Sequence, residues 1–164
     1  MPEMFYADDN KPVRKEPDYR LENFSVKSFD ATGRMTREVF GDKARHYPDV
    51  DEMHIDQVRV YAESETGVKI NAKADKGVAT GDSERVTLIG KAQAVRAADA
   101  QSPRTELRGE RLLALVKEER LLSSDPVEIT RDKDVFTALT MNFNSKTGEY
   151  LLQGRVRGML PPKP

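Results

Sequence analysis

The only imidazoles in the chain are His46 and His54, eight residues apart. Around them stand Asp42, Asp49, Asp51, Glu52 and Asp56, a donor set that could hold a metal if several of its members converged. No close pair of the His-x-His kind is present, and acidic residues crowded into loops are ordinarily just solvated. No metal and no cofactor is therefore expected. The chain contains no cysteine, which removes disulfides, thiolate metal sites and a thiol nucleophile. Carboxylates are abundant, yet none stands in an apolar run that would shift its pKa toward acid–base work. Gly-x-Ser-x-Gly, a phosphate-cradling loop and a dinucleotide fingerprint are all missing. The sequence does not read as an enzyme. One further cluster is basic: from Ser145 onward, Lys146, Arg155, Arg157 and Lys163 stand against Glu149 alone. Two readings of it stay open, a solvated strand face and a contact for an anionic partner such as a phosphorylated glycolipid head group.

The composition narrows the classes further. Of 164 residues, 37% are hydrophobic and 34% charged, with 27 basic residues against 28 acidic ones. Without a basic excess there is no bulk charge to release phosphate counterions, so a nucleic-acid partner is not expected. Apolar residues recur with clear local patterning, which argues against a disordered chain. With no tryptophan, the core must come from Val, Leu, Ile, Ala and a few Phe. No stretch approaches the ~18 consecutive apolar residues of a membrane-spanning helix.

The elements that must position these residues read as strands. Residues 1–17 carry three prolines and mixed charge without a period, the pattern of a leader or linker. Structure is expected from residue 18 to 160, with 161–164 as a tail. In "PDYRLENFSV" the apolar face changes partway along. A turn follows at Asp30–Gly33, with glycine suited to a positive φ. "DQVRVY", "GVKINAKAD", "RVTLIGKAQAVR" and "DPVEITRD" alternate apolar and polar residues with a period of two, the signature of half-buried strands. "NSKTG" at 144–148 is a further glycine-containing turn. "GERLLALVKEER" resists, because Leu112, Leu113, Leu115 and Val116 fit an amphipathic helix as well as a strand.

An internal repeat weighs on that choice. "LIGKAQAV", "SSDPVEIT" and "LQGRVRGM" each place a turn-competent or small residue (Gly90, Asp125, Gly154) before a polar residue or proline and then an apolar one (Ala92, Val127, Val156). "DQVRVY" at Asp56 is a degenerate earlier copy, and the markers are then 34, 35 and 29 residues apart. In this register "GERLLALVKEER" falls where the other copies carry strand–turn–strand, so β structure is favoured there. A repeat of this size is one layer of a sheet that cannot bury its apolar face alone. The expectation is an all-β, open two-sheet antiparallel roll whose terminal strands present unpaired backbone groups.

Residues 17–55, "PDYRLENFSVKSFDATGRMTREVFGDKARHYPDVDEMHI", resemble the opening of the LptC family. The matching features are Pro17-Asp-Tyr19, the Asp30–Gly33 turn, Ala44-Arg-His46-Tyr47-Pro48 and the acidic stretch leading into "DQVRVY". "ADKGVATGDSERVTLIGKAQAVR", "RLLSSDPVEI" and "TGEYLLQGRVRG" resemble the strand repeats of the wider OstA-like group, to which the soluble bridge protein LptA also belongs. The resemblance implies a twisted β-jellyroll with lipid acyl chains held between two sheets. It implies a periplasmic domain of the lipopolysaccharide export system, in contact with the membrane only through an N-terminal inner-membrane anchor that these residues do not contain. Implied partners are lipopolysaccharide, the ATP-driven LptB/LptF/LptG complex at the N-terminal edge and LptA at the C-terminal edge. An LptA-like soluble bridge and a scaffolding β-domain that docks by its edges without lipid are the alternatives.

A greasy path makes physical sense for such a cargo. Each CH₂ left in water costs ~0.8 kcal/mol, so a 14-carbon chain costs on the order of 10 kcal/mol. Expected lipid-facing side chains are Phe24, Val26, Ile70, Ala72, Val86, Leu88, Ile89, Ala92 and Leu107. Leu113, Val127, Ile129, Phe136, Met141, Phe143, Leu152 and Val156 complete them. Expected docking residues are Tyr19, Leu21 and Gly33 at one end and Tyr150, Gly154, Arg155 and Arg157 at the other. Val156 is expected to face inward, like Ala92 and Val127, with Arg155 and Arg157 facing out.

Overall fold

A computed structural model describes residues 15–162, so most of the expected leader, residues 1–14, and part of the tail lie outside the described residues. The chain forms twelve strands: β1 (Tyr19–Phe29), β2 (Met35–Tyr47), β3 (Glu52–Glu63), β4 (Lys69–Thr80), β5 (Arg85–Arg96) and β6 (Thr105–Leu115), then β7 (Arg120–Ser123), β8 (Val127–Arg131), β9 (Asp134–Ala138), β10 (Thr140–Asn144), β11 (Tyr150–Gln153) and β12 (Arg157–Met159). They make one antiparallel sheet in the order β1-β2-β3-β4-β5-β6-β7-β10-β11, with β8, β9 and β12 continuing from β6 on a second branch. The sheet does not close, and β1 at one end and β11 and β12 at the other have a neighbour on one side only.

The first six strands are long, 11 to 13 residues, and each is creased once. In β1 the inward residues are Leu21 and then Phe24; in β3, Ile55 and then Val58; in β6, Gly109 and then Leu112. Each step of three breaks the period of two, so the apolar face changes parity at that point. Residues in the left-handed region mark the crease: Asn23 (φ 47), Gln57 (φ 53) and Lys91 (φ 49), with Gly90 (φ 86) beside the last. In β5 the pair Gly90–Lys91 stands opposite the single residue Glu110 of β6, because Ile89 pairs with Arg111 and Ala92 with Gly109. Such a bulge bends the strand and increases its twist.

Beyond β6 the crease becomes a fork. The C-terminal part of β6 pairs with β7 and its N-terminal part with β8. Ser124-Asp-Pro126 divides those two short strands, and Gly154–Val156 divides β11 from β12. The repeat markers Gly90, Asp125 and Gly154 therefore all sit on the crease line. The result is one sheet folded into two leaves that face each other.

Between the leaves lies the core. Leu88 and Leu112 from the first leaf and Leu107 and Ile129 from the second belong to one cluster with Val58, Met141 and Phe143. "GERLLALVKEER" is strand, turn and strand: the end of β6, a turn at Val116–Glu119, and the start of β7. Its helix-like spacing arises from the parity change at the crease together with apolar residues on both faces of β6.

Candidate functional site

The inward face is continuous across the sheet. One row passes from Leu21 through Ala44, Ile55, Gly77 and Leu88 to Leu112 by direct cross-strand pairing. It continues on β7, β10 and β11 as Ser123, Met141 and Leu152. In the second leaf, Val26, Val39, Val60, Ala72 and Ala94 lead to Leu107, Ile129 and Phe136. The packing along these rows is uneven. Leu88 and Phe143, toward the C-terminal half, are each 1% exposed, whereas Val26 on β1 is 50% exposed. The leaves are filled at one end and open at the other.

The structure sorts the expected lipid-facing residues into three groups. Val86, Leu88, Ala92, Leu107, Val127, Ile129, Met141 and Phe143 are buried in the core. Phe24, Ala72, Phe136 and Leu152 pack half-buried against it, Ile70 is half-buried in the row that also holds Arg37, and Val26 is the open-end member. Three positions do not face inward. Ile89 pairs with Lys76 and Arg111, and Leu113 with Thr87 and Leu122, on the outer face opposite Leu88 and Leu112. Val156 is 48% exposed and lies in the break between β11 and β12, outside the paired rows that hold Ala92 and Val127. The β11–β12 break turns it out of the alternation that the repeat suggested.

The expected docking residues fall at the two open edges. Tyr19 and Leu21 lie on β1, and Gly33 (φ 88) closes the turn that follows it. That turn is held by Asp30, whose carboxylate accepts from Thr32 N, Thr32 Oγ1 and Arg34 N at 2.9, 2.6 and 3.1 Å. Those hydrogen bonds, Thr32 foremost, hold the Asp30 carboxyl below its usual range. Tyr150 opens β11, with Arg131 stacked on its ring at 4.9 Å. Gly154 (φ 82) and Arg155 (φ 47) form the break before β12, where Arg157 lies. A Cβ on Gly154 would stand 3.0 Å from Leu139, so glycine here meets both the turn and the close approach.

Exposed large apolar side chains gather at these same edges. Tyr19, Val26 and Phe29 are on β1, while Leu151, Val156, Met159 and Leu160 line the C-terminal edge, with Met159 70% exposed. The sequence reading missed Phe29, Leu151, Met159 and Leu160. They alternate with no visible period, and only their placement at an unpaired edge distinguishes them.

Among the described residues no group of three or more His, Asp and Glu side chains is arranged to hold a metal ion. Instead His46 bridges two acids across the β1 edge, Nδ1 to Asp18 at 2.7 Å and Nε2 to Asp51 at 2.8 Å. Tyr19 stacks on its ring at 4.9 Å. Asp51, then Asp18, raise the imidazole pKa above its ordinary 6.5. His54 sits apart, with Glu52 at 3.2 Å. On the outer face, a groove over the crease is lined by Gln57, Arg59, Lys73, Asp75, Lys91 and Arg108.

A creased, open antiparallel sheet with an apolar inward face and an unpaired strand at each end is a module of the β-jellyroll class. The model of the family described as "Lipopolysaccharide-assembly, LptC-related" matches residues 3–160. The chain belongs to this LptC family of lipopolysaccharide-assembly components. Comparison with curated protein sequences gives no match. Among solved structures, the chain has the fold of LptH, the LptA-homologous periplasmic component of the lipopolysaccharide transport device of Pseudomonas aeruginosa. The TM-score is 0.57 at 12% identity, over 92% of this chain and 99% of that one. Among the described residues no helix is long and apolar enough to cross a membrane.

Proposed function

We propose that the protein is a periplasmic bridge module that accepts lipopolysaccharide at the β1 edge from the inner-membrane LptB/LptF/LptG extractor and passes it to LptA at the β11–β12 edge. One observation carries this reading: largely apolar inward rows run from the β1 edge to the β11–β12 edge, both edges are unpaired, and the exposed apolar side chains concentrate there. Main-chain groups of an open edge accept a partner's strand, and the inward rows then continue into the partner. At the open end acyl chains lie along such rows without being exposed to water, which would cost ~0.8 kcal/mol per CH₂, and passage toward the filled end requires the two leaves to part. No catalytic group is required, because the energy enters through the ATP-driven partner. Membrane attachment through an N-terminal anchor belongs to the same proposal. The likeness to LptH favours one second reading, an LptA-like bridge without an anchor.

The test is site-specific photo-crosslinking in cells. A photoreactive residue at Val26, exposed at the open end of the inward face, or at the half-buried Val60 is expected to give lipopolysaccharide adducts. One at the exposed Arg155 is expected to give protein adducts only. An absence of lipid adducts at every inward position would reduce the protein to a scaffold that docks by its edges. Deleting residues 150–164 is expected to abolish LptA binding, and binding that survives the deletion would refute the assignment of that edge.

A further inference from the structure

A cross-strand row near the end of the second leaf carries three inward arginines. Arg37 on β2, Arg96 on β5 and Arg131 on β8 are linked strand to strand through Ala62, Ile70 and Thr105. Two of them are engaged. Arg96 donates to the Ser145 carbonyl at 2.9 Å, the Lys146 carbonyl at 3.1 Å and the Asp99 carboxylate at 3.1 Å. Arg131 donates to Thr105 Oγ1 at 3.3 Å and to the Gly148 carbonyl. Both hold the β10–β11 turn of the first leaf against the second, at the filled end.

Arg37 lies at the open end and has no such partner. It is half-buried, its neighbours across the strands are Ser28 and Ala62, and no carboxylate among the described residues pairs with it. Asp30, in the turn before the same strand, is already paired with Arg34 at 3.3 Å. Burial is the one influence on its guanidinium, lowering its pKa with no acid to offset it. Withdrawing a charge from water without a partner costs free energy, so folding alone does not account for an arginine here. The next inward residue on its strand is Val39, flanked by Val26 and Val60. A cation therefore stands at the rim with aliphatic surface directly behind it.

We infer that Arg37 is an anion-binding residue of the open end, holding a phosphate group of an amphipathic glycolipid whose acyl chains lie along Val39 and Val60. The inference rests on the lipid-passing reading and adds to it a residue that selects the phosphorylated head group. A planar guanidinium meets phosphate oxygens in a two-point fork. Amphipaths lacking that anion gain only the apolar contact.

The test compares lipid A, the phosphorylated glycolipid anchor of lipopolysaccharide, with its dephosphorylated form. Both are measured by displacement of a fluorescent fatty-acyl probe. Wild type is expected to bind the phosphorylated form about tenfold more tightly, a difference of about 1.4 kcal/mol. Arg37→Gln is expected to lose that preference while binding the dephosphorylated form as wild type does, and Arg37→Lys to keep part of it. Thermal unfolding of Arg37→Gln is expected at or above the wild-type midpoint, because an unpaired half-buried charge has been removed. A phosphate preference that survives in Arg37→Gln would overturn the assignment and leave the lipid-passing reading intact. Binding of neither form by wild type would instead overturn that reading. Displacement of the probe by inorganic phosphate at comparable concentration would mark a free-anion site and refute the glycolipid assignment.

Discussion

Replacing Leu112 by alanine tests whether the stability of the sheet resides where its leaves are filled. Leu112 is 0% exposed and pairs across β5–β6 with Leu88, itself 1% exposed. The change removes about three carbons from a packed interior, a transfer loss of about 2.4 kcal/mol at ~0.8 kcal/mol each. The cavity left behind adds to this, for a total of about 2–5 kcal/mol. In a domain of this size that lowers the melting midpoint by roughly 2–4 °C per kcal/mol, so a fall on the order of 4–20 °C is expected. Val26→Ala is the matched control at the open end. It removes about two carbons that are already half in water, so its cost is at most about 1 kcal/mol. Urea denaturation followed by far-ultraviolet circular dichroism reads both variants, and the lack of tryptophan makes this the natural probe. Equal destabilisation of the two variants would refute the division into a filled and an open end. So would a Leu112→Ala protein that melts with the wild type.

Three other variants probe the crease, the hold of Arg131 on the β10–β11 turn, and the β1 edge. A Cβ at Gly41 would lie 2.6 Å from Phe24 and Ile55, so Gly41→Val is expected to displace Phe24 and speed amide exchange along β1. Unchanged protection of β1 would contradict that close approach. Arg131→Met removes the hydrogen bonds to Thr105 and Gly148 and is expected to cost about 1–3 kcal/mol by leaving a buried carbonyl unpaired, read by denaturant titration. His46 is expected to titrate above 6.5 in NMR and to return toward 6.5 in the Asp18→Asn, Asp51→Asn double variant. Because the folded-state pKa is raised, this stabilising contribution is fully present below pH 6.5 and is lost as pH rises through the folded value. Protection of the β1 amides that grew with rising pH across that window would refute this role for His46.

Much of the architecture is legible in the sequence because one face of each strand is buried. Residues 85–96 alternate through Val86, Leu88, Ala92 and Ala94, and β5 occupies those same residues. The change of face noted in "PDYRLENFSV" corresponds to Asn23 in the left-handed region. Alternation fails as a guide where adjacent residues are both apolar. At Leu88–Ile89 and Leu112–Leu113 the composition cannot say which member faces in; the pairing register decides it. Val156 misleads for another reason: it follows Gly154 as Ala92 follows Gly90, yet β5 runs on through its bulge while β11 stops. The rim arginine was invisible for the opposite reason. Arg37 sits in a polar stretch, "RMTREVF", and its oddity is the absence of a partner across two neighbouring strands.

The regular spacing of the crease also sets a unit of length. Asn23, Gln57 and Lys91 follow one another at intervals of 34 residues. Each interval carries the chain out along one full-length strand and back along the next. Strands stand ~4.8 Å apart, so one interval widens the sheet by about 10 Å. Adding or removing a whole interval would change the span in steps of that size and leave both terminal strands and their partners' contacts as they were. A fractional insertion would instead move one crease out of line with its neighbours. The reach of such a sheet is therefore counted in hairpins, and its span can be changed by changing their number without redesigning either end.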